Sequence, residues 1–214
     1  MWPLRPRPPE LARVVAHYNH RARVYDRNLF TRFIGRAELQ ALLQLLPPAD
    51  QALDYGCGSG RVALALAQRG YQVTAYDPAE RMLALAREKA RRAGLAMQFV
   101  PQRALLASQR FQLVTCVGVL DYYPSAAPLL RELAGLTVPG GYLLISAPNA
   151  LSPLGHAYRL LASPQLPVHP RVPQALWQEA QAVGLRPLAC RYAFPALPPA
   201  GMTVLLLLQR PAGR

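Results

Sequence analysis

Lysine is almost absent from this chain: Lys89 is the only one in 214 residues. Acids are scarce as well, 11 Asp and Glu against 24 Lys and Arg, so the formal charge is +13 and arginine carries nearly all of it. The arginines are scattered, without the basic–aromatic alternation of a dedicated RNA platform. A solvated basic face accounts for them more simply than a nucleic-acid partner does. Cysteine is limited to Cys57, Cys116 and Cys190, an odd and widely spaced set. That excludes a disulfide scaffold and fits a reducing cytoplasm. No run approaches the ~20 apolar residues of a membrane span, and the opening Met1–Pro9 lacks the apolar centre of a secretory signal. His17 and His20 lie three apart on one helical pattern, but no Cys or acid has matching spacing, so no metal site is expected. There is no repeat. With 52% hydrophobic residues, the simplest organisation is one domain with a substantial core.

The chain is organised around Leu53–Asp77. An apolar run ends in Asp54, glycines follow at Gly56, Gly58 and Gly60, and a helical pattern leads to a second apolar run ending in Asp77. This reads as strand, tight turn, helix, strand: a βαβ unit that places a ligand beyond the carboxyl ends of parallel strands. The dinucleotide fingerprint is G-x-G-x-x-G; here the spacing is G-x-G-x-G. Asp54 would oppose a pyrophosphate but suit a ligand amino group, while Asp77 can accept hydrogen bonds from ribose hydroxyls. A ribose, a cationic amino-acid end and no phosphate describe S-adenosylmethionine. A bare turn with capping acids is the competing account.

LDYGCGSGR, VTAYDPAERML, FQLVTCVGVLDYYP and LTVPGGYLLIS come in the order and spacing of the class I S-adenosylmethionine-dependent methyltransferases, which the chain resembles from about Ala16 to Arg210. The resemblance implies an α/β, three-layer Rossmann-like fold, with a seven-stranded, mostly parallel sheet whose last strand is reversed. It implies cofactor contacts from Asp54, Gly56, Cys57 (as a small residue), Gly58, Gly60, Asp77, Pro78, Met82 and Val117. AHYNHRARVYD resembles the lid-forming opening of several small-molecule methyltransferases, making Tyr18 and Tyr25 candidate lid contacts; amphipathic packing would explain them equally. After the third strand many relatives carry an acid for the adenine amino group. Here Gln102-Arg103 stands instead, so the Gln102 amide oxygen is the candidate acceptor. Where relatives often carry Glu-His, this chain has Asp121-Tyr122. Tyrosine ordinarily titrates near pH 10 and so is no neutral-pH base. Asp121 is therefore the candidate to orient the acceptor or take its proton, with Tyr122 shaping the pocket.

The expected organisation is a loose lead (1–10), a domain over 11–210 and a tail (211–214). Within the domain, 11–48 form a helical lid and 149–170 a substrate-side insertion with a helical stretch around 155–161. Strands are expected at Gln51–Tyr55, Tyr71–Tyr76, Ala96–Pro101, Phe111–Val117, Tyr142–Ala147, Leu185–Phe194 and Met202–Arg210. Helices are expected at Phe33–Leu46, Arg61–Arg69, Pro78–Ala93, Ala126–Leu136 and Pro173–Val183, with Pro139-Gly140-Gly141 as a turn. The third of these helices has proline near its first turn. The Arg61 end of its helix should favour the cofactor carboxylate. His156, Tyr158, Arg159 and His169 reach a pocket only if the insertion folds over it. Methyl transfer from a sulfonium needs no covalent nucleophile, in keeping with the absence of a triad. The sequence favours a methyltransferase for a small-molecule acceptor. An RNA or other macromolecule methyltransferase, and a non-catalytic cofactor-binding subunit, are the alternatives. Oxygen, nitrogen and carbon acceptors remain open.

Overall fold

The computed structural model describes residues 9–27, 29–154, 156, 166–194 and 199–213. In chain order it has α1 (Pro9–Tyr25), α2 (Leu29–Leu43), β1 (Gln51–Tyr55), α3 (Arg61–Ala67), β2 (Gln72–Tyr76), α4 (Glu80–Arg92) and β3 (Gln98–Val100). Then come β4 (Phe111–Cys116), α5 (Ala127–Leu136), β5 (Thr137–Pro148), α6 (Pro173–Ala182), β6 (Arg186–Ala193) and β7 (Thr203–Gln209). Two 3₁₀ turns, Arg103–Leu106 and Leu120–Tyr122, flank β4. The sheet order is β3-β2-β1-β4-β5-β7-β6; β7 runs antiparallel to both of its neighbours and the other pairings are parallel. This is the seven-stranded sheet with a reversed final strand expected from the sequence. The helical stretch expected around 155–161 falls almost wholly outside the described residues, as do Tyr158 and Arg159.

Strand side chains alternate between two cores, as a pleat with period two requires. Leu53, Val114, Leu143, Ile145 and Leu206 join Leu129, Leu130 and Leu133 of α5 and Leu176 of α6. Ala52, Leu113, Leu144 and Leu205 join Leu42 of α2, Val62 and Leu66 of α3, and Leu83 and Ala86 of α4. Helices on both faces explain why the central strands are nearly continuous apolar runs. The strand order reverses between β1 and β4, which pair in parallel. A crevice is expected at such a switch point.

Three local readings change. Pro139-Gly140-Gly141 lies within β5, not before it. Thr137 pairs with Phe111 and Tyr142 with Leu113, so the three residues form a bulge. It is held by Gly140 N–H donating to Arg210 C=O at 2.9 Å, and Arg210 N–H to Gly141 C=O at 2.9 Å. Helix α4 begins at Glu80, because the Asp77 carboxylate accepts the Ala79 N–H at 2.7 Å and folds Pro78-Ala79 into a turn. Helix α2 lies earlier than its pattern suggested, ending at Leu43.

Gly60 has a packing role. Its φ is +88°, and a Cβ there would stand 2.9 Å from the Cβ of Ala86, so it lets α3 approach α4. Gly60→Ala is expected to cost about 2–4 kcal/mol, from left-handed strain and overpacking together. Urea unfolding would measure it, and a change below the strain cost alone would contradict this packing.

Candidate functional site

A cavity of about 590 Å³ opens beyond the carboxyl ends of β1, β2 and β4, with residues of α1 and α2 in its wall. Of the residues singled out from sequence, Tyr18, Tyr25, Asp54, Gly56, Cys57, Gly58, Asp77, Pro78, Met82, Val117, Asp121 and Tyr122 line it. Gly60 and Gln102 do not. Gly60 faces α4, and Gln102 precedes the 3₁₀ turn Arg103–Leu106, its carbonyl accepting the Leu105 N–H. Neither His156 nor His169 is part of the lining, though the His169 N–H donates to the Asp121 C=O at 2.8 Å.

The glycine turn is tied to β2. Gly56 and Cys57 N–H groups both donate to the Tyr76 carbonyl, at 2.8 and 2.9 Å, and Gly58 N–H donates to Asp77 Oδ2 at 2.7 Å. These donors are engaged within the protein, which leaves them poorly placed to cradle a pyrophosphate. Asp54 is almost wholly buried; Oδ2 accepts the Ala63 N–H at 2.9 Å and Oδ1 the Thr115 hydroxyl at 2.8 Å. Burial pushes its pKa up to about 6, against those two hydrogen bonds. Asp54 thus ties β1 to the first turn of α3. The expectation that this helix N-terminus would receive a ligand carboxylate is corrected accordingly: it already holds one.

Residues the sequence reading did not single out supply other charges. Arg32 and Arg36, four apart on α2, line the cavity and present planar guanidiniums suited to a carboxylate. Arg61 is bound to α2 through Glu38 Oε2 at 2.7 Å and the Gly35 carbonyl. The N-terminal segment is fastened beyond α1 by Asp26, which accepts the Ser59 hydroxyl at 2.9 Å and pairs with Lys89 at 2.8 Å. The i,i+4 spacing of Arg32 and Arg36 was a readable signal; the ion pairs were not, because their partners are remote in sequence. Outside the cavity lining, Glu132 of α5 accepts from Tyr55 Oη at 2.7 Å and pairs with Arg103 at 2.9 Å.

Beyond the carboxyl end of β4, the turn Leu120–Tyr122 brings Asp121 and Tyr122 to the cavity. The Tyr122 and Tyr18 hydroxyls share a hydrogen bond of 2.5 Å, joining α1 to this turn. Burial raises the pKa of Tyr18, as it does that of Tyr25, so neither is a base near neutrality. Asp121 is 5% exposed. Burial, reinforced by Glu38, lifts its carboxyl to about 7, where it can exchange a proton at neutral pH. Cys57 and Cys116 are buried thiols with pKa values well above the ordinary one, and are inert as nucleophiles. Among the described residues no group of three His, Cys, Asp or Glu could hold a metal ion, and no helix is long and apolar enough to cross a membrane.

S-adenosylmethionine fits this donor set: Asp77 beside a glycine turn for a ribose, Met82 as an apolar wall, and guanidiniums of α2 for a carboxylate. Comparison with known proteins agrees. The family model described as "Methyltransferase domain" matches residues 53–145. The ubiquinone biosynthesis O-methyltransferase of Stutzerimonas stutzeri is 33% identical over 117 residues, 53% of this chain and 50% of that protein. Its counterpart in Albidiferax ferrireducens is 37% identical over 122 residues, 54% of this chain and 48% of that one. The chain thus spans about half the length of the curated relatives it matches. The magnesium protoporphyrin IX methyltransferase of Synechocystis, solved with S-adenosylhomocysteine bound, superposes with a TM-score of 0.73 at 20% identity, over 94% of this chain and 99% of that one. Residues 53–145 thus resemble a methyltransferase domain, and the chain shares its fold with a methyltransferase solved with S-adenosylhomocysteine bound.

Proposed function

We propose that the chain binds S-adenosylmethionine and methylates a small-molecule acceptor. The observation that carries this is one continuous cavity, with Asp77 and the glycine turn in one part of its lining and Asp121 and Tyr122 in another. Its volume is that of a site for a small organic ligand. Bound there, the cofactor would supply an electrophilic methyl group on a sulfonium whose leaving group is a neutral thioether. The chain's part is to hold two reactants in register and exclude water, which is where well-oriented reactions gain most. Helices α1 and α2 act as the cover, fastened through Asp26 and Glu38. Such a cover favours a small acceptor over RNA. The curated relatives are named for an O-methyltransferase of ubiquinone biosynthesis, in keeping with a small acceptor. The three free cysteines accord with a reducing cytoplasm.

Calorimetric titration with S-adenosylmethionine and S-adenosylhomocysteine, with NADH as control, tests this. Micromolar affinity for the first two is expected. Asp77→Ala should weaken it roughly 10–100-fold, the worth of hydrogen bonds to a charged group. Unchanged affinity in that variant would overturn the cofactor assignment.

A further inference from the structure

Five of the eleven acids of this basic chain line one cavity: Asp26, Glu38, Asp54, Asp77 and Asp121. Four are already answered within the protein. Asp26 pairs with Lys89 and Glu38 with Arg61. Asp54 is held by Ala63 N–H and the Thr115 hydroxyl, and Asp77 by the amides of Gly58 and Ala79. Asp121 differs. It is as buried as Glu38, Asp54 and Asp77, yet its Oδ1 has no hydrogen-bond partner among the described residues. Leaving a buried acceptor unmade is costly, and an opposite charge brought beside the carboxyl group offsets the cost.

The cation acting on Asp121 from within the protein is Arg171. Its terminal nitrogens are engaged elsewhere, by the Tyr123 carbonyl and by Glu179 Oε1 at 3.5 Å. Around Asp121 the wall is aromatic. Six of the ten tyrosines line the cavity. Tyr18 stands edge-to-face with both Tyr25 and Tyr122, at centroid separations of 5.8 and 6.1 Å. Because the Tyr18 and Tyr122 hydroxyls bond to each other, much of what these rings offer a ligand is π surface.

We propose that the acceptor is a cationic amine, methylated on nitrogen, whose ammonium sits beside the Asp121 carboxyl group in the cavity, among Tyr18, Tyr25 and Tyr122. This rests on the methyltransferase reading above and names its substrate class. A neutral hydroxyl would give the carboxyl group a donor. An ammonium gives it a donor and also the opposite charge that makes an ionised buried carboxylate tolerable. Tyrosine faces attract a cation within about 6 Å of their centres. Before transfer, one N–H proton passes to the Asp121 carboxylate. The bonding pair stays on nitrogen as the lone pair that accepts the methyl group, and carboxylate and ammonium become carboxylic acid and neutral amine.

The test uses the full chain and two probes of nearly equal shape, 2-phenylethylamine and 2-phenylethanol, titrated calorimetrically near neutral pH with S-adenosylhomocysteine present. The amine is expected to bind about tenfold tighter or more, and Asp121→Asn to erase the preference. Equal affinities, preference for the alcohol, no binding of either probe, or a preference surviving in Asp121→Asn would each overturn the proposal. If the variant does not fold, the wild-type comparison decides alone. Affinity for S-adenosylhomocysteine is measured first. Its absence counts against the methyltransferase reading, and the amine preference is then measured on the ligand-free protein, where it stands or falls separately.

Discussion

Gly56→Ala is expected to destabilise the fold by about 2–5 kcal/mol and to weaken cofactor binding with it. Gly56 has φ +78°, and a Cβ built on it would lie 2.3 Å from Cγ2 of Val119. Two costs therefore add. The left-handed conformation costs an alanine about 1–2 kcal/mol, and the steric conflict about 1–3 kcal/mol more. Val119 is β-branched and stiff about χ1, so it cannot simply swing aside. It also immediately precedes the turn that carries Asp121 and Tyr122, which means the glycine turn and the acceptor turn are in van der Waals contact. A double-mutant cycle separates the two costs. Val119→Ala in the Gly56→Ala background should restore the steric part and leave about 1–2 kcal/mol of backbone strain. Urea unfolding of the four proteins would measure this; additive effects would show that the two turns do not touch.

Asp121→Asn is expected to make the protein more stable at pH 8 while lowering methyl transfer about 10²–10⁴-fold. In the folded protein the Asp121 carboxyl titrates at about 7, against an ordinary 3.8. Burial is the main cause, Glu38 adds to it, and the backbone and Arg171 oppose it. Tyr18, also acted on by Asp121, stays protonated. Between about pH 4 and 7 the folded state therefore holds a proton that the unfolded chain has lost. Stability falls as pH rises through that window and stays lower above it. Asparagine has no charge to bury, so its advantage should be small at pH 4 and full above pH 7, roughly 3–8 °C in melting temperature. Asp54, lifted to about 6, gives a slope of the same sign in both proteins, so the difference between them is the quantity to read. A variant no more stable at pH 8 than at pH 4, relative to wild type, would show that Asp121 ionises without penalty. Opposite signs on stability and turnover are what a strained functional acid predicts.

Much of the cavity wall around the glycine turn could be read along the chain because its chemistry is local. Gly56, Gly58, Asp54 and Asp77 lie within one βαβ unit, where strand, turn and helix leave few ways to place them. The wall beyond β4 was read less completely. Asp121 and Tyr122 could be found after β4, but the raised pKa of Asp121 comes from burial and from Glu38 on α2. The Tyr18–Tyr122 hydrogen bond joins residues 104 apart. Gly60 shows the converse: it belongs to the glycine pattern, but it packs against Ala86 and is not part of the cavity lining. Gln102, placed by analogy with an acid after β3, misses the cavity because the chain there turns into a 3₁₀ helix.

By itself the sequence determined the strand–turn–helix order, the two apolar faces of each central strand and the place of the glycine turn. Those follow from side-chain period and from backbone freedom at glycine, which act over a few residues. Only the tertiary structure decided which charges are answered and which are left to a ligand. Asp26 meets Lys89, Glu38 meets Arg61, and Glu132 meets Arg103. Asp121 is left with an unpartnered oxygen among the described residues. Desolvation and ion pairing depend on what surrounds a group in space, and the surroundings of Asp121 come from α1, α2 and the segment around Arg171, far apart in the chain.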